Sequence, residues 1–152
     1  QLPSARLLGS TRLTVWGFQV YDAKLWVSSN FSADDYASSG FALNLAYLRD
    51  FSGADIARRS IQEMRVLGGM TDAQATQWQA QMQQLLPDVR SGDHLLGLYS
   101  PSGEASFTYN GKALGSIRDR EFARLFFGIW LSPKTSAAPM RRALLGLDKA
   151  AP

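Results

Sequence analysis

Hydrophobic and polar residues alternate through much of the first third of the chain, which indicates β-strands with one buried face. The segment from Ala5 to Val27 predicts two strands that break near Gly17. Phe41 to Leu48 alternates in the same way and predicts a third strand. Between them, Ser28 to Gly40 is rich in Ser, Asp and Asn and predicts a loop.

Helical spacing replaces this alternation in the middle of the chain. Ser52-Gly-Ala-Asp55 and Thr71-Asp-Ala-Gln74 both have the capping-box pattern, in which two side chains satisfy the first free backbone N–H groups of a helix. We expect the first helix to end at about Leu67, because Gly68-Gly69 follows it. The second should end at about Leu86, because proline disfavours helical geometry in the residue before it.

The second half of the chain repeats the order of strands followed by helices. Because no strand–helix–strand alternation occurs, the pattern favours an α+β fold with an antiparallel sheet and helices on one side. Three strands, a hairpin turn and two helices are predicted: Asp93 to Tyr99, Glu104 to Tyr109, the Asn110-Gly111 turn, Lys112 to about Gly115, Ile117 to Leu131, and Ala137 to Leu145.

Composition narrows the possible functions. The 152 residues are 45% hydrophobic, which suits one domain spanning 1–152. The net charge of +3 is scattered, so a nucleic-acid partner is not expected, and no apolar stretch is long enough for membrane insertion. With no cysteine and only His94, we predict no metal site, no cofactor and no Ser-His-Asp triad.

Four segments, in chain order, resemble the chalcone-isomerase-like family, in particular its short bacterial members. The last of the four is the most specific. They are Leu13-Thr-Val-Trp-Gly17 with Tyr21-Asp-Ala-Lys-Leu-Trp26; Phe41 to Gly53 with Ser60-Ile-Gln-Glu-Met64; Asp88-Val-Arg-Ser-Gly-Asp93; and Phe122-Ala-Arg-Leu-Phe-Phe-Gly-Ile-Trp-Leu-Ser-Pro133 with Ala143-Leu-Leu-Gly146.

The resemblance implies an open-faced β-sandwich, a large antiparallel sheet covered by a layer of helices with a ligand cleft between them. In the family's isomerases, which cyclise chalcones, the cleft holds an Arg, a Thr, a Tyr-Lys-Asn set and a late Thr or Ser. Non-catalytic relatives bind fatty acids and use the Arg for the carboxylate. Carried over residue by residue, these positions fall on Arg12 (within one position), Tyr21, Ile56, Arg59, Glu63 and Leu125.

The carried-over residues favour binding over catalysis. Cyclisation needs donors that stabilise charge on a ketone oxygen, and Ile56 and Leu125 stand where the isomerases have hydroxyl groups. An apolar cleft ended by a guanidinium suits an acyl chain with a carboxylate head. We therefore predict a non-catalytic protein that binds a small apolar acid, such as a fatty acid, with Arg12 and possible help from Arg59 at the polar end.

Other interpretations stay open at this point. Arg12 could lie on a solvated strand face with its stem over Trp16, and Arg59 could form a surface ion pair with Glu63. The chain could be an intramolecular lyase or isomerase with Tyr21 as proton donor. It could also recruit a partner through an outer sheet face that carries Trp16 and Trp26.

The compartment and assembly are predicted from weaker signals. The chain begins at Gln1 rather than Met and lacks cysteine. Together with the bacterial character of the resemblance, these features favour a periplasmic protein whose signal peptide has been removed. We also expect a monomer.

Overall fold

The computed structural model describes residues 5–147 of the chain. Its strands and helices follow one another in the predicted order. The elements are β1 (Arg6–Val15), β2 (Phe18–Val27), a 3-10 helix (Ala33–Ser38), β3 (Phe41–Tyr47), α1 (Gly53–Leu67), α2 (Asp72–Leu85), β4 (His94–Ser100), β5 (Glu104–Tyr109), β6 (Lys112–Ile117), α3 (Arg120–Leu131) and α4 (Ala138–Leu144).

The six strands form one antiparallel sheet in which each strand pairs with the next along the chain. Alternation explains which face is buried. In β2, the side chains from Tyr21 to Val27 at odd positions are buried, whereas Lys24 and Trp26 between them are exposed. The helices cover the buried face, so the predicted α+β sheet with a helical layer is confirmed.

The central helix α3 is the most hydrophobic of the helices that cover the sheet. From Leu125 to Leu131 every residue is buried. Its start differs from the prediction by three residues, because Ile117, the last residue of β6, still pairs with Ala105 of β5. Asp119 then begins the helix by accepting hydrogen bonds from the backbone N–H groups of Glu121 and Phe122.

Two local predictions needed correction. The polar segment before β3 contains the 3-10 helix and is not loop throughout. The first capping box is only half formed: Ser52 accepts the N–H of Asp55 at 3.0 Å, but the Asp55 carboxylate binds Arg58 instead of reaching back. Aspartate is one methylene shorter than the glutamate or glutamine of this motif, whereas Gln74 completes the box with Thr71.

Helix α4 lies against the outermost strand β1 at a glycine. A Cβ atom on Gly9 would lie 2.2 Å from the carbonyl oxygen of Ala143 and 2.5 Å from that of Leu144. The absence of a side chain therefore lets the backbones of β1 and α4 meet. This contact holds α4 over the edge of the sheet, where Met140 reaches the cavity described below.

The described residues all belong to this sheet or to the segments packed around it. The single domain predicted for 1–152 extends beyond them at both ends and stays a prediction. Within 5–147, no helix has both the length and the apolar character that crossing a membrane would require.

Candidate ligand-binding cavity

A cavity of about 460 Å³ lies between the inner face of the sheet and the helices. This volume is in the range of small-molecule pockets. Strands β1 to β4 form one wall, and α1, α3 and α4 contribute the other. The deep part of the wall is buried and mostly apolar: Tyr21, Leu45, Tyr47, Leu86, Leu95, Phe126, Ile129, Trp130 and Met140.

The exposed lining residues mark the mouth of the cavity. One side is the turn between β1 and β2, where Trp16 and Phe18 are 93% and 55% exposed. The other side is α1, which contributes the exposed Arg58 and Arg59. Arg49, just beyond β3, lies over the ring of Phe18, with its guanidinium carbon 4.5 Å from the ring centroid. The mouth therefore has exposed aromatic rings with Arg49 on one side, and the ion pairs of Arg58 with Asp55 and of Arg59 with Glu63 on the other.

Two tyrosines lie side by side in the wall, with ring centroids 5.6 Å apart. The Tyr21 hydroxyl accepts a hydrogen bond from the Trp130 indole N–H at 2.9 Å. Burial raises the pKa of Tyr21 to about 12, although this hydrogen bond opposes the shift. Burial also raises the pKa of Tyr47, and the neighbouring Tyr21 adds to that rise. Both phenols are therefore neutral near pH 7.

An ion pair stands between the tyrosines and the mouth. The Arg59 Nε lies 3.3 Å from Glu63 Oε2, and Ser136 donates to Glu63 Oε1 at 2.5 Å. Arg59 lowers and Glu63 raises the pKa of Tyr21, so both charges act on the phenol at the cavity wall. Because Glu63 engages only Nε, the two terminal nitrogens of Arg59 have no hydrogen-bond partner among the residues the structure describes.

The prediction that Arg12 ends the cavity is wrong. Its guanidinium makes two hydrogen bonds to Asp22, at 2.6 and 3.1 Å, on the opposite face of the sheet. Asp22 is the register partner of Arg12 and alternates with the inward-facing Tyr21, so both members of the pair must point outward. Arg12 therefore lies on the solvated face of the strand, as the alternative interpretation had it, and its partner there is Asp22.

Four of the other predicted site residues line the cavity together: Tyr21, Ile56, Arg59 and Glu63. That they bind a ligand stays a prediction. Leu125 is not part of the lining and is 1% exposed in the core. The α3 residues that reach the cavity are Phe126, Ile129 and Trp130. One residue corresponds to about 100° around a helix, so a position next to Phe126 faces elsewhere.

Tyr47, Arg49 and Trp130 line the cavity but are not among the predicted site residues. Tyr47 had a usable signal, because it continues the inward-facing alternation of β3 from Leu43 and Leu45, whereas Arg49 lies exposed in the bend after the strand. Trp130 lies within the predicted helix from Ile117 to Leu131. Nothing in the linear pattern indicates that its N–H meets a phenol 109 residues away.

Within the described part of the chain, no group of His, Asp or Glu side chains is arranged to hold a metal ion. The polar groups that line the cavity include two neutral phenols, the Trp130 indole N–H, the hydroxyls of Ser60 and Ser136, the Gln62 amide and the charged side chains at its mouth. These groups can receive an anionic or hydrogen-bonding head, while the deep wall can cover an apolar body.

Comparison with known proteins agrees with this architecture. An uncharacterised protein of Haemophilus influenzae is 27% identical over 143 residues, which are 93% of this chain and 68% of that protein. The solved structure of a fatty-acid binding protein from Arabidopsis thaliana has a TM-score of 0.74, with 14% identity over 94% of this chain and 87% of its own. At that identity the likeness shows the fold alone. The model of the chalcone isomerase-like family matches residues 6–146, and the chain therefore belongs to that family.

Proposed function

We propose that the protein binds a small apolar carboxylic acid, such as a fatty acid, in the cavity between sheet and helices. The observation that carries the proposal is a cavity of about 460 Å³ with an apolar interior and arginines at its mouth. In the proposed complex the carboxylate lies at the mouth near α1, and the acyl chain packs against Leu45, Leu95 and Ile129.

The carboxylate partner in this proposal is Arg59 and not Arg12. The terminal nitrogens of Arg59 are the ones that Glu63 leaves without a hydrogen bond, and a guanidinium can bind a carboxylate through two parallel N–H donors. Tyr21, whose neutral hydroxyl can also donate, lies close enough for its pKa to be affected by the charge of Arg59. The proposed head site is therefore Arg59 with the Tyr21 phenol behind it.

The acyl chain would supply most of the binding free energy. Each buried methylene contributes about 0.8 kcal/mol, which is about a fourfold change in Kd. The gain should continue along a series of acids until the cavity is filled and then stop. The Arabidopsis protein of the same fold is described as a fatty-acid binding protein, and this likeness supports an acid of that class as the ligand.

The experiment is calorimetric titration of the purified chain with octanoate, decanoate and dodecanoate, and with decanol as the uncharged match. We expect affinity to rise along the acid series and decanol to bind more weakly than decanoate. Binding that does not saturate for any of the acids, or equal affinity for decanoate and decanol, would contradict the proposal.

Variants on α1 locate the head group. Arg59→Gln should weaken decanoate binding about tenfold, since it removes a charge-assisted contact. Glu63→Gln should strengthen it, because a carboxylate near the head is removed and the amide can still accept from Ser136. Arg65→Gln is the matched control: Arg65 lies on the same helix and pairs with Asp72 at 3.1 Å, but does not line the cavity.

A second candidate function is an intramolecular lyase or isomerase. The observation that favours it is the pair of neutral phenols, Tyr21 and Tyr47, in an apolar wall, since such groups can donate to a developing oxyanion. A screen with chalcones and related enones tests it. Turnover that falls at least about 100-fold in Tyr21→Phe would support the enzyme; no turnover, or no effect of the substitution, would leave binding as the function.

A further inference from the structure

The turn between β1 and β2 carries an aromatic residue where the backbone disfavours one. Trp16 has a φ of 54° and Gly17 a φ of 80°, as a two-residue type I′ hairpin turn requires. The same turn occurs at Asn110-Gly111, with φ values of 49° and 83° and the residues that this geometry prefers. A bulky side chain at positive φ is strained, so Trp16 stands out against Asn110 in the same molecule.

The Trp16 side chain gains no packing that offsets this strain. It is 93% exposed, the largest exposure among the large hydrophobic side chains of the described chain. Phe18, across the turn, is 55% exposed and carries the guanidinium of Arg49 over its ring. Strained backbone and exposed aromatic side chains of this kind are typical of contact surfaces. Without a binding partner they only lower the stability of the fold.

We infer that this turn docks the cavity mouth on an anionic lipid bilayer surface, with Trp16 and Phe18 in the interfacial region and Arg49 at the headgroups. Tryptophan prefers that region, because its ring is apolar while its N–H stays hydrated. Both aromatic side chains line the mouth, so docking would open the cavity toward the bilayer.

The charges around the mouth favour an anionic surface. Arg58 and Arg59 pair with Asp55 and Glu63, whereas the contact found for Arg49 within residues 5–147 is the aromatic ring and not a carboxylate. The net charge of the mouth is therefore positive, as is that of the chain at +3. A cation beside exposed aromatic side chains is the combination that binds interfacial helices to anionic membranes. The inference does not depend on which acid occupies the cavity.

The test is flotation of the purified chain with vesicles of phosphatidylcholine and phosphatidylglycerol, and with phosphatidylcholine alone. We expect binding to the mixed vesicles to be stronger. Arg49→Gln should lower the affinity for the mixed vesicles about fivefold and leave the affinity for phosphatidylcholine vesicles unchanged. Trp16→Asn should lower vesicle affinity about tenfold while raising Tm, because it creates the favoured Asn-Gly turn. The rise in Tm separates lost docking from lost folding.

Trp26→Asn is the matched control. Trp26 is 39% exposed on the outer face of β2 and does not line the cavity, so this variant should keep the affinity for vesicles. Three results would overturn the inference: no binding of the wild-type chain to either vesicle, equal losses in Trp16→Asn and Trp26→Asn, or a Trp16-dependent dimer in place of vesicle binding. Decanoate binding by the wild-type chain is measured without vesicles, so failure of docking and failure of acid binding are distinguishable.

Discussion

At the scale of single residues, the two cavity tyrosines differ in one respect that can be measured. Tyr21 accepts the N–H of the buried Trp130, whereas no described residue hydrogen-bonds to the Tyr47 hydroxyl. Removing the Tyr21 hydroxyl leaves the buried Trp130 N–H without an acceptor, whereas removing the Tyr47 hydroxyl leaves no such group without a partner. The two Tyr→Phe substitutions should therefore have different effects although both residues line the same wall.

We predict that Tyr21→Phe lowers the free energy of unfolding by about 1–2 kcal/mol, because Trp130 loses its hydrogen-bond acceptor. Tyr47→Phe should change it by no more than about 0.5 kcal/mol. Urea unfolding followed by tryptophan fluorescence measures both. Equal losses would mean that the Trp130 hydrogen bond contributes nothing specific.

Arg12 supplies a second prediction at this scale. Because it pairs with Asp22 on the outer face, Arg12→Gln should leave the affinity for decanoate unchanged. The measurement is the same calorimetric titration, with Arg59→Gln as the positive control. A clear loss of affinity in Arg12→Gln would indicate that the ligand carboxylate binds Arg12, as the family resemblance implies.

At the scale of elements, the position of α4 depends on the glycine in β1. A methyl group at position 9 meets two backbone carbonyls, which cannot rotate away as a side chain could. Strand and helix must therefore separate to admit it. Met140 and Ala137, at the start of α4, line the cavity, so this separation also alters the wall.

We predict that Gly9→Ala costs about 2 kcal/mol of stability, in the range of overpacked interiors. Thermal unfolding followed by circular dichroism should show a lower Tm. Ser10→Ala on the same strand is the control, because Ser10 is exposed and its substitution creates no clash. An unchanged Tm in Gly9→Ala would show that α4 is not held to β1 at this point.

At the scale of the whole molecule, alkaline stability follows from the tyrosines. The pKa of each of the five is raised in the folded state, mainly by burial except at Tyr109, where the hydrogen bond to Asp93 is the largest cause. A raised pKa contributes stability that is fully present below the unfolded value near 10. It is lost as pH rises from there through the folded value, because the unfolded state releases protons first.

We therefore predict that the free energy of unfolding falls as pH rises from 10 toward 12. Tyr47→Phe should make that fall shallower, since one proton fewer is released on unfolding. Urea unfolding at several alkaline pH values measures the slope of the unfolding free energy against pH. The phenolate absorbance of the folded chain should appear at a higher pH than that of the unfolded chain. A slope that does not differ between wild type and Tyr47→Phe would contradict the assignment of Tyr47 as a late-titrating phenol.

Most of the secondary structure could be predicted because its causes are local. The alternation of hydrophobic and polar residues predicted the strands. The capping box of Thr71 and Gln74 begins α2, and Asn110-Gly111 forms the expected turn. The errors come from contacts that a local pattern does not report. Helix α3 begins at Arg120 because Ile117 is bound into the sheet, and no spacing of hydrophobic residues reports that competition.

The error at Arg12 shows how much depends on one position. Strand alternation puts Leu13 and Val15 on one face and Arg12 on the other, and in the structure Leu13 and Val15 lie in the cavity wall while Arg12 does not. The family resemblance matched Arg12 only to within one residue. In a strand, a shift of one residue exchanges the two faces of the sheet, so that margin decided between the cavity and solvent.

The sequence by itself determined the order of the strands and helices, the buried face of each and the family, because these depend on periodicity and on motifs within short segments. The tertiary structure decided which side chains meet. Arg59 comes beside Tyr21, and Trp130 beside the same phenol, only when α1 and α3 pack on the sheet. Such contacts join residues far apart in the chain through packing, and no local pattern of hydrophobic and polar positions specifies them.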